Sequence, residues 1–155
     1  MKNKNKVFIV AEVGNNHEGN YLIAKKLILE AKKCGADAVK FQTFIPESFV
    51  SIKDLKKISQ LKKFQLSFNE FKSLSSYSKK IGIKFFSTPF DIQSARFLKK
   101  IQSVFKISSS DNDFYPLLNE VASFNKHIFL STGLADLNDI SKSKKIIFKN
   151  WKKKR

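Results

Sequence analysis

Residues 37–44 read DAVKFQTF, an apolar run broken by Lys40 and Gln42. Eight residues are few for a helix, and Val and Phe favour a strand. Side chains alternate along a strand, so Lys40 and Gln42, two apart, share one face. Four more runs have the same grammar, apolar first and polar toward the carboxyl end: VFIVAEVG (7–14), GIKFFSTPF (82–90), SVFKISSSD (103–111) and HIFLSTGL (127–134). Each is expected to be a buried strand.

Helical patterns fill the intervals. Leu22, Ile23, Leu27, Ile28 and Ala31 form one apolar stripe, with Gly35 placed to end that helix. Ser67 and Glu70 make a capping-box pattern ahead of Phe71, Leu74, Tyr77 and Ile81. Asp91 can cap a short helix with Ala95 and Leu98 on its inner side, and Asp136 one running through Ile140, Ile147 and Trp151. Strand and helix alternate throughout, which predicts an α/β class with a parallel sheet. The segment 45–66, opening at Pro46, is longer than an ordinary strand-to-helix connection and reads as a loop over a site. The closing WKKKR reads as a frayed helix end.

The chain has 155 residues, 42% apolar and including 16 Phe, enough for one domain with a real core. That is well short of the roughly 250 residues of a complete (β/α)₈ barrel. With 30 Lys+Arg against 13 Asp+Glu the formal net charge is +17, and only two of the cations, Arg96 and Arg155, are arginine. The guanidinium fork that reads bases and phosphates is therefore almost missing, which favours a solvated lysine surface over nucleic-acid or membrane binding. Cys34 is the lone cysteine and falls behind Ala24, Leu27 and Ala31 at helical spacing, so it is expected to be a buried structural thiol in a reducing compartment. Glu12 interrupts the first apolar run too early for a signal peptide, and no stretch approaches the ~20 apolar residues of a membrane span. A soluble, cytoplasmic protein is expected.

In a parallel α/β sheet ligands bind at the carboxyl ends of the strands. Those ends carry Glu12, then Asn15, Asn16 and His17 in a turn between Gly14 and Gly19; Lys40 and Gln42; Ser87, Thr88 and Asp91; Lys106, Ser108, Ser109, Ser110 and Asp111; and Ser131 and Thr132. A lysine in a buried strand costs several kcal/mol, on the order of the desolvation of one ion, unless its ammonium meets an anion. Two of them beside hydroxyls and glycine backbone suggest a phosphate or carboxylate site. An internal pair with Glu12 and a Schiff base are the other readings of these lysines. Glu12 itself is a general acid or base, an orienting group, or a plain ion-pair partner. His17 either touches a ligand or stabilises its turn. His17 and His127 lack metal-ligand spacing, and the phosphate-loop and dinucleotide fingerprints are absent.

Taken in order, AEVGNNHEG, ADAVKFQTF, FFSTPFD, FKISSSDNDFYPL and VASFNKHIFLSTGLADL resemble the amino-terminal part of the sialic acid synthases, a family that includes the N-acetylneuraminate, legionaminate and pseudaminate synthases. The resemblance runs from about Val7 to about Trp151. It implies a (β/α)₈ TIM-barrel enzyme, this chain covering about the first five βα units, that condenses phosphoenolpyruvate with an N-acetylmannosamine-type amino sugar and releases phosphate. In the family, C3 of phosphoenolpyruvate attacks the sugar aldehyde, water adds at C2, and phosphate leaves by C–O cleavage, with a divalent metal (Mn or Mg) polarising the aldehyde. Carried over by position, Lys40, Thr88, Lys106, Ser109 and Ser131 match groups that hold phosphoenolpyruvate. Gln42 and Asp111 match sugar-contacting positions, and Glu12 the catalytic acidic residue near the reacting centre. The resemblance makes the lysines charges rather than Schiff-base formers.

The same resemblance puts the metal-binding histidines, the later sugar contacts and a small antifreeze-like domain beyond Arg155. Residues 1–155 are thus expected to be an incomplete, inactive barrel portion without metal ligands. A homodimer is implied for the full-length family. The alternative from another class is a five-stranded doubly wound domain that binds an anion without catalysis. Strand order separates the two: sequential neighbours mean an opened barrel, 2-1-3-4-5 a doubly wound sheet.

Overall fold

The structure, a computed structural model, describes residues 7–152. The three cations after Lys152 in the WKKKR segment lie outside the described residues. Strands and helices alternate as β1 (Val10–Gly14), α1 (Tyr21–Lys33), β2 (Ala38–Thr43), α2 (Pro46–Phe49), α3 (Leu55–Phe64), α4 (Phe68–Lys80), β3 (Lys84–Pro89), α5 (Ile92–Leu98), β4 (Val104–Ile107), α6 (Tyr115–Ser123), β5 (His127–Leu130) and α7 (Leu137–Lys152). A 3₁₀ turn, Ser109–Asp111, follows β4.

Asn20, not read from the sequence, accepts from the Leu22 and Ile23 amides at the start of α1. The caps read from sequence hold α4, α5 and α7 as expected. Ser67 and Glu70 form the reciprocal capping box of α4. Asp91 accepts from the Ser94 amide at the start of α5, and Asp136 from the Asp139 amide at the start of α7. Each such cap is worth about 1 kcal/mol.

The strands are parallel and ordered by sequence. β2 lies between β1 and β3, and β4 pairs with β5. A doubly wound sheet would put β1 beside β3, so that alternative is not the arrangement found. Between β3 and β4 the buried side chain of Gln102 takes the place of a strand partner. Its Oε1 accepts from the Ser87 amide at 2.7 Å, and its Nε2 donates to the Ser87 carbonyl at 3.0 Å.

One face of the strands packs on the helices. Val13, Val39 and Phe41 meet Ala24, Ile28, Phe71 and Leu74; Phe105 and Ile107 meet Ala95, Leu98, Leu117 and Val121. The other face carries Glu12, Lys40, Gln42, Thr88 and Lys106, as period-two alternation requires.

Four expectations are corrected. Leu22 and Ile23 are exposed, and Ala24 and Ile28 make the buried seam of α1, because the helix is rotated toward its small residue. Cys34 is exposed, since it caps the carboxyl end of α1 rather than continuing its buried side. Segment 45–66 is two short helices, α2 and α3, started by Pro46 and by the Asp54 cap. The outermost strands β1 and β5 are half exposed, whereas β2 is covered by neighbours on both sides.

Candidate functional site

Glu12, Lys40 and Thr88 converge because β1, β2 and β3 are in register: Glu12 aligns with Lys40, and Gln42 with Thr88. Lys40 Nζ lies 2.6 Å from Glu12 Oε2 and donates to Thr88 Oγ1 at 3.2 Å. Thr88 is buried, and the Lys40 side chain is far more covered than that of Glu12. The lysine thus has an acid and a hydroxyl in place before any ligand arrives.

Lys106, the inward residue of β4, is held differently. Its ammonium donates to the carbonyl of its neighbour Ile107 at 2.6 Å. Burial pushes its pKa down, Lys40 pushes it further, and Glu12 and Asp111 oppose the shift. The Lys106 ammonium thus sits in a field of both signs, Lys40 opposing its charge and Glu12 and Asp111 favouring it, and a bound anion would add to the favourable side.

Asp111 closes the 3₁₀ turn after β4. Burial holds its carboxyl above the usual carboxylate range, a nearby Asp113 adds to this, and Ser110 and Lys106 oppose it. Its Oδ2 is buried without a hydrogen-bond partner. The Ser131 amide donates to the same Ile107 carbonyl that Lys106 uses, which ties the end of β5 to this group. A side chain on Gly133 would sit 3.9 Å from the Ser109 Cβ, so the Ser109 turn and the Ser131–Gly133 segment are neighbours.

His17 is not part of this group. It is buried and stacked on Phe41, and its Nδ1 accepts from the Gly19 amide at 3.1 Å. Burial lowers its pKa, with Glu70 opposing, so it serves its turn as a neutral ring. Gly19, at φ +74°, is needed there: a Cβ would lie 2.1 Å from the Lys63 carbonyl at the end of α3. His127 opens β5, at the opposite end of the sheet from the site.

The sequence did not assign Asn15 a contact. Its Nδ2 donates to Gln42 Oε1 at 2.9 Å, a link across 27 residues for which the only sequence signal is that both flank the same strand ends. The divalent cation that the resemblance implies has no ligand set here: among the described residues no group of three or more His, Cys, Asp or Glu side chains could hold a metal ion. Nor is any helix among them long and apolar enough to cross a membrane.

Known proteins resemble this chain in sequence and in fold. An uncharacterized protein of Methanocaldococcus jannaschii is 46% identical over 92% of this chain and 42% of its own length. The N,N'-diacetyllegionaminic acid synthase of Campylobacter jejuni is 39% identical over 96% of this chain and 49% of its own. The crystal structure of an N-acetylneuraminic acid synthetase from Leptospira borgpetersenii, in complex with citrate, superposes with a TM-score of 0.89 at 34% identity, covering 94% of this chain and 51% of that one. The chain spans about half the length of the curated relatives it matches. A model of the NeuB family matches residues 27–155, which include β2 to β5 and the lysines described above. With that model matching most of its length and relatives named as synthases of sialic-type acids, the chain belongs to the NeuB family.

Proposed function

We propose that these residues form the phosphoenolpyruvate-binding portion of a (β/α)₈-barrel synthase that joins phosphoenolpyruvate to an N-acetylmannosamine-type sugar, giving a nonulosonic acid and phosphate. The observation that carries this reading is the pair Lys40 and Lys106 on one face of the strands, Lys40 held by Glu12 at 2.6 Å and the Lys106 ammonium turned onto the Ile107 carbonyl. Phosphate and carboxylate of one ligand bring further negative charge to the two ammonium groups, and the Thr88 hydroxyl, 3.2 Å from Lys40 Nζ, orients one of them. Ser109 and Ser131 complete the cradle from the ends of β4 and β5. Gln42 and Asp111 face the sugar, and Glu12 is the acidic group beside the reacting carbon. Holding both reactants on rigid strand ends supplies the orientation that a bimolecular condensation needs. The family homodimer and a cytoplasmic location belong to the same reading.

Calorimetric titration tests it. The chain is expected to bind phosphoenolpyruvate, and Lys40→Ala to weaken that binding about 30-fold or more, the equivalent of about 2 kcal/mol for removing one partner of a buried charge pair. Unchanged affinity in Lys40→Ala overturns the site. A second arm concerns activity: the 155-residue protein with Mn²⁺ is expected to release no phosphate from phosphoenolpyruvate and N-acetylmannosamine. Release would overturn the assignment of these residues as a binding portion without its metal ligands.

A further inference from the structure

We infer that Asn15 is a positioning residue that sets the polarity Gln42 presents to the sugar, and so tunes which sugar is accepted. The inference rests on the phosphoenolpyruvate and sugar reading above. A carboxamide has one acceptor end and one donor end of the same shape, so a glutamine in a binding site is selective only when something fixes which end faces the ligand. Asn15 Nδ2 donates to Gln42 Oε1 at 2.9 Å, which fixes the carbonyl end of the amide on Asn15 and leaves the two Nε2 protons outside that bond. The surroundings favour the same orientation. A Cβ on Gly14 would lie 3.4 Å from Glu12 Oε1 and 3.7 Å from Gln42 Nε2, so both side chains border the same glycine. The reversed amide would bring its carbonyl to that border, which already holds a carboxylate oxygen.

Backbone shape supplies the placement. The β1–β2 register slips between Glu12 and Gly14, and Gly14 has φ +54°. That irregularity swings Asn15 back over the end of β2 instead of letting it continue the strand. The turn is then closed by the Asn16 amide on Val13 O and the Glu18 amide on Asn15 O. The Asn15 Oδ1 is left buried with no partner, a cost that packing alone does not call for and that the bond to Gln42 imposes. Gln42 is thereby held with its Nε2 donors turned away from Asn15, the end suited to a hydroxyl or carbonyl oxygen of an amino sugar.

Asn15→Asp and Asn15→Ala test this. Aspartate cannot donate to Gln42 Oε1 but attracts Nε2, so it reverses the amide; alanine frees it. In spectra of the chain labelled with ¹⁵N-glutamine, and assigned with Gln42→Ala, the Gln42 side-chain resonances are expected to move in opposite directions in the two variants. Titration of N-acetylmannosamine in the presence of phosphoenolpyruvate is expected to weaken about fivefold or more in each, while phosphoenolpyruvate affinity changes less than twofold. Unmoved Gln42 resonances overturn the inference, as does equal weakening of both ligands or a wild-type chain without sugar affinity. Loss of phosphoenolpyruvate binding by the wild type would instead overturn the reading of the site itself.

Discussion

Toward the carboxyl ends of the strands the inward face carries Glu12, Lys40, Gln42, Thr88 and Lys106; toward the amino ends it carries Val10 and Lys84 with Phe8 beside them, while Phe86 and Phe129 stand level with Lys40 and Lys106. Both ends thus contain lysine in an apolar strand, but they treat it differently. Lys84 is exposed, with its ammonium 5.0 Å from the centre of the Phe8 ring. Water and an aromatic face satisfy it. Lys106 is partly buried, repelled by Lys40, and turned onto its own neighbour's carbonyl. Around Lys84 and the phenylalanines runs an open groove of about 720 Å³. Phe129 is 58% exposed and Val10 37%. Such a surface accepts any apolar cover, whereas the charged end selects by sign and geometry. A lysine marks a site when its surroundings fail it, and the strand it occupies does not decide the matter.

The largest effect that separates the two ends is on ligand binding. Lys106→Ala is expected to weaken phosphoenolpyruvate about 30-fold or more, and Lys84→Ala less than about twofold, by calorimetric titration. Equal losses would erase the distinction and point to a general attraction by the +17 charge. Stability is expected to divide the other way. Gln102 lines the groove at the amino ends and makes both hydrogen bonds to the Ser87 backbone. Gln102→Ala leaves that buried peptide unsatisfied and is expected to cost about 1–3 kcal/mol in urea unfolding, with phosphoenolpyruvate affinity unchanged. A stable Gln102→Ala protein would mean that β3 and β4 need no bridge.

Much of this was legible in the sequence, for identifiable reasons. Caps depend on one side chain and the next few amides, so Ser67, Asp91 and Asp136 could be placed without any tertiary information. Period-two alternation put Lys40 and Gln42 on one face, and their strand-end positions put them at the site. Tertiary consequences were less readable. Cys34 lies on an apolar spacing but at a helix end, where the stripe no longer faces the sheet. Segment 45–66 reads as a loop because it is longer than an ordinary strand-to-helix connection and opens at Pro46; Asp54 starts α3 all the same, and Ile58 anchors it. The Asn15–Gln42 bond depends on a register slip and a positive φ, neither of which leaves a mark in composition. Comparison with relatives fixed the family.

The smallest expected effect is the most diagnostic, because it runs against intuition. The surroundings of Lys106 disfavour its charged form, so its folded pKa lies below the ordinary lysine value. Between that folded value and 10.5 the unfolded chain binds more protons than the native one, and stability therefore rises with pH across that interval. At neutral pH the full penalty is present. Lys106→Met, which keeps the stem and removes the charge, is expected to stabilise the protein by about 0.5 kcal/mol at pH 7 after solvent screening, and to lose that advantage as pH approaches 10.5. Thermal unfolding of both proteins at pH 7 and pH 10 measures the difference. Phosphoenolpyruvate reverses the sign: an anion at the ammonium raises the Lys106 pKa, so binding at pH 9 is expected to take up a fraction of a proton, seen as a buffer-dependent binding enthalpy and absent in Lys106→Met. At the other end Lys84→Met is expected to leave phosphoenolpyruvate affinity within about twofold. A destabilised Lys106→Met would mean that the lysine is there for the fold, and the contrast between the two ends would fall.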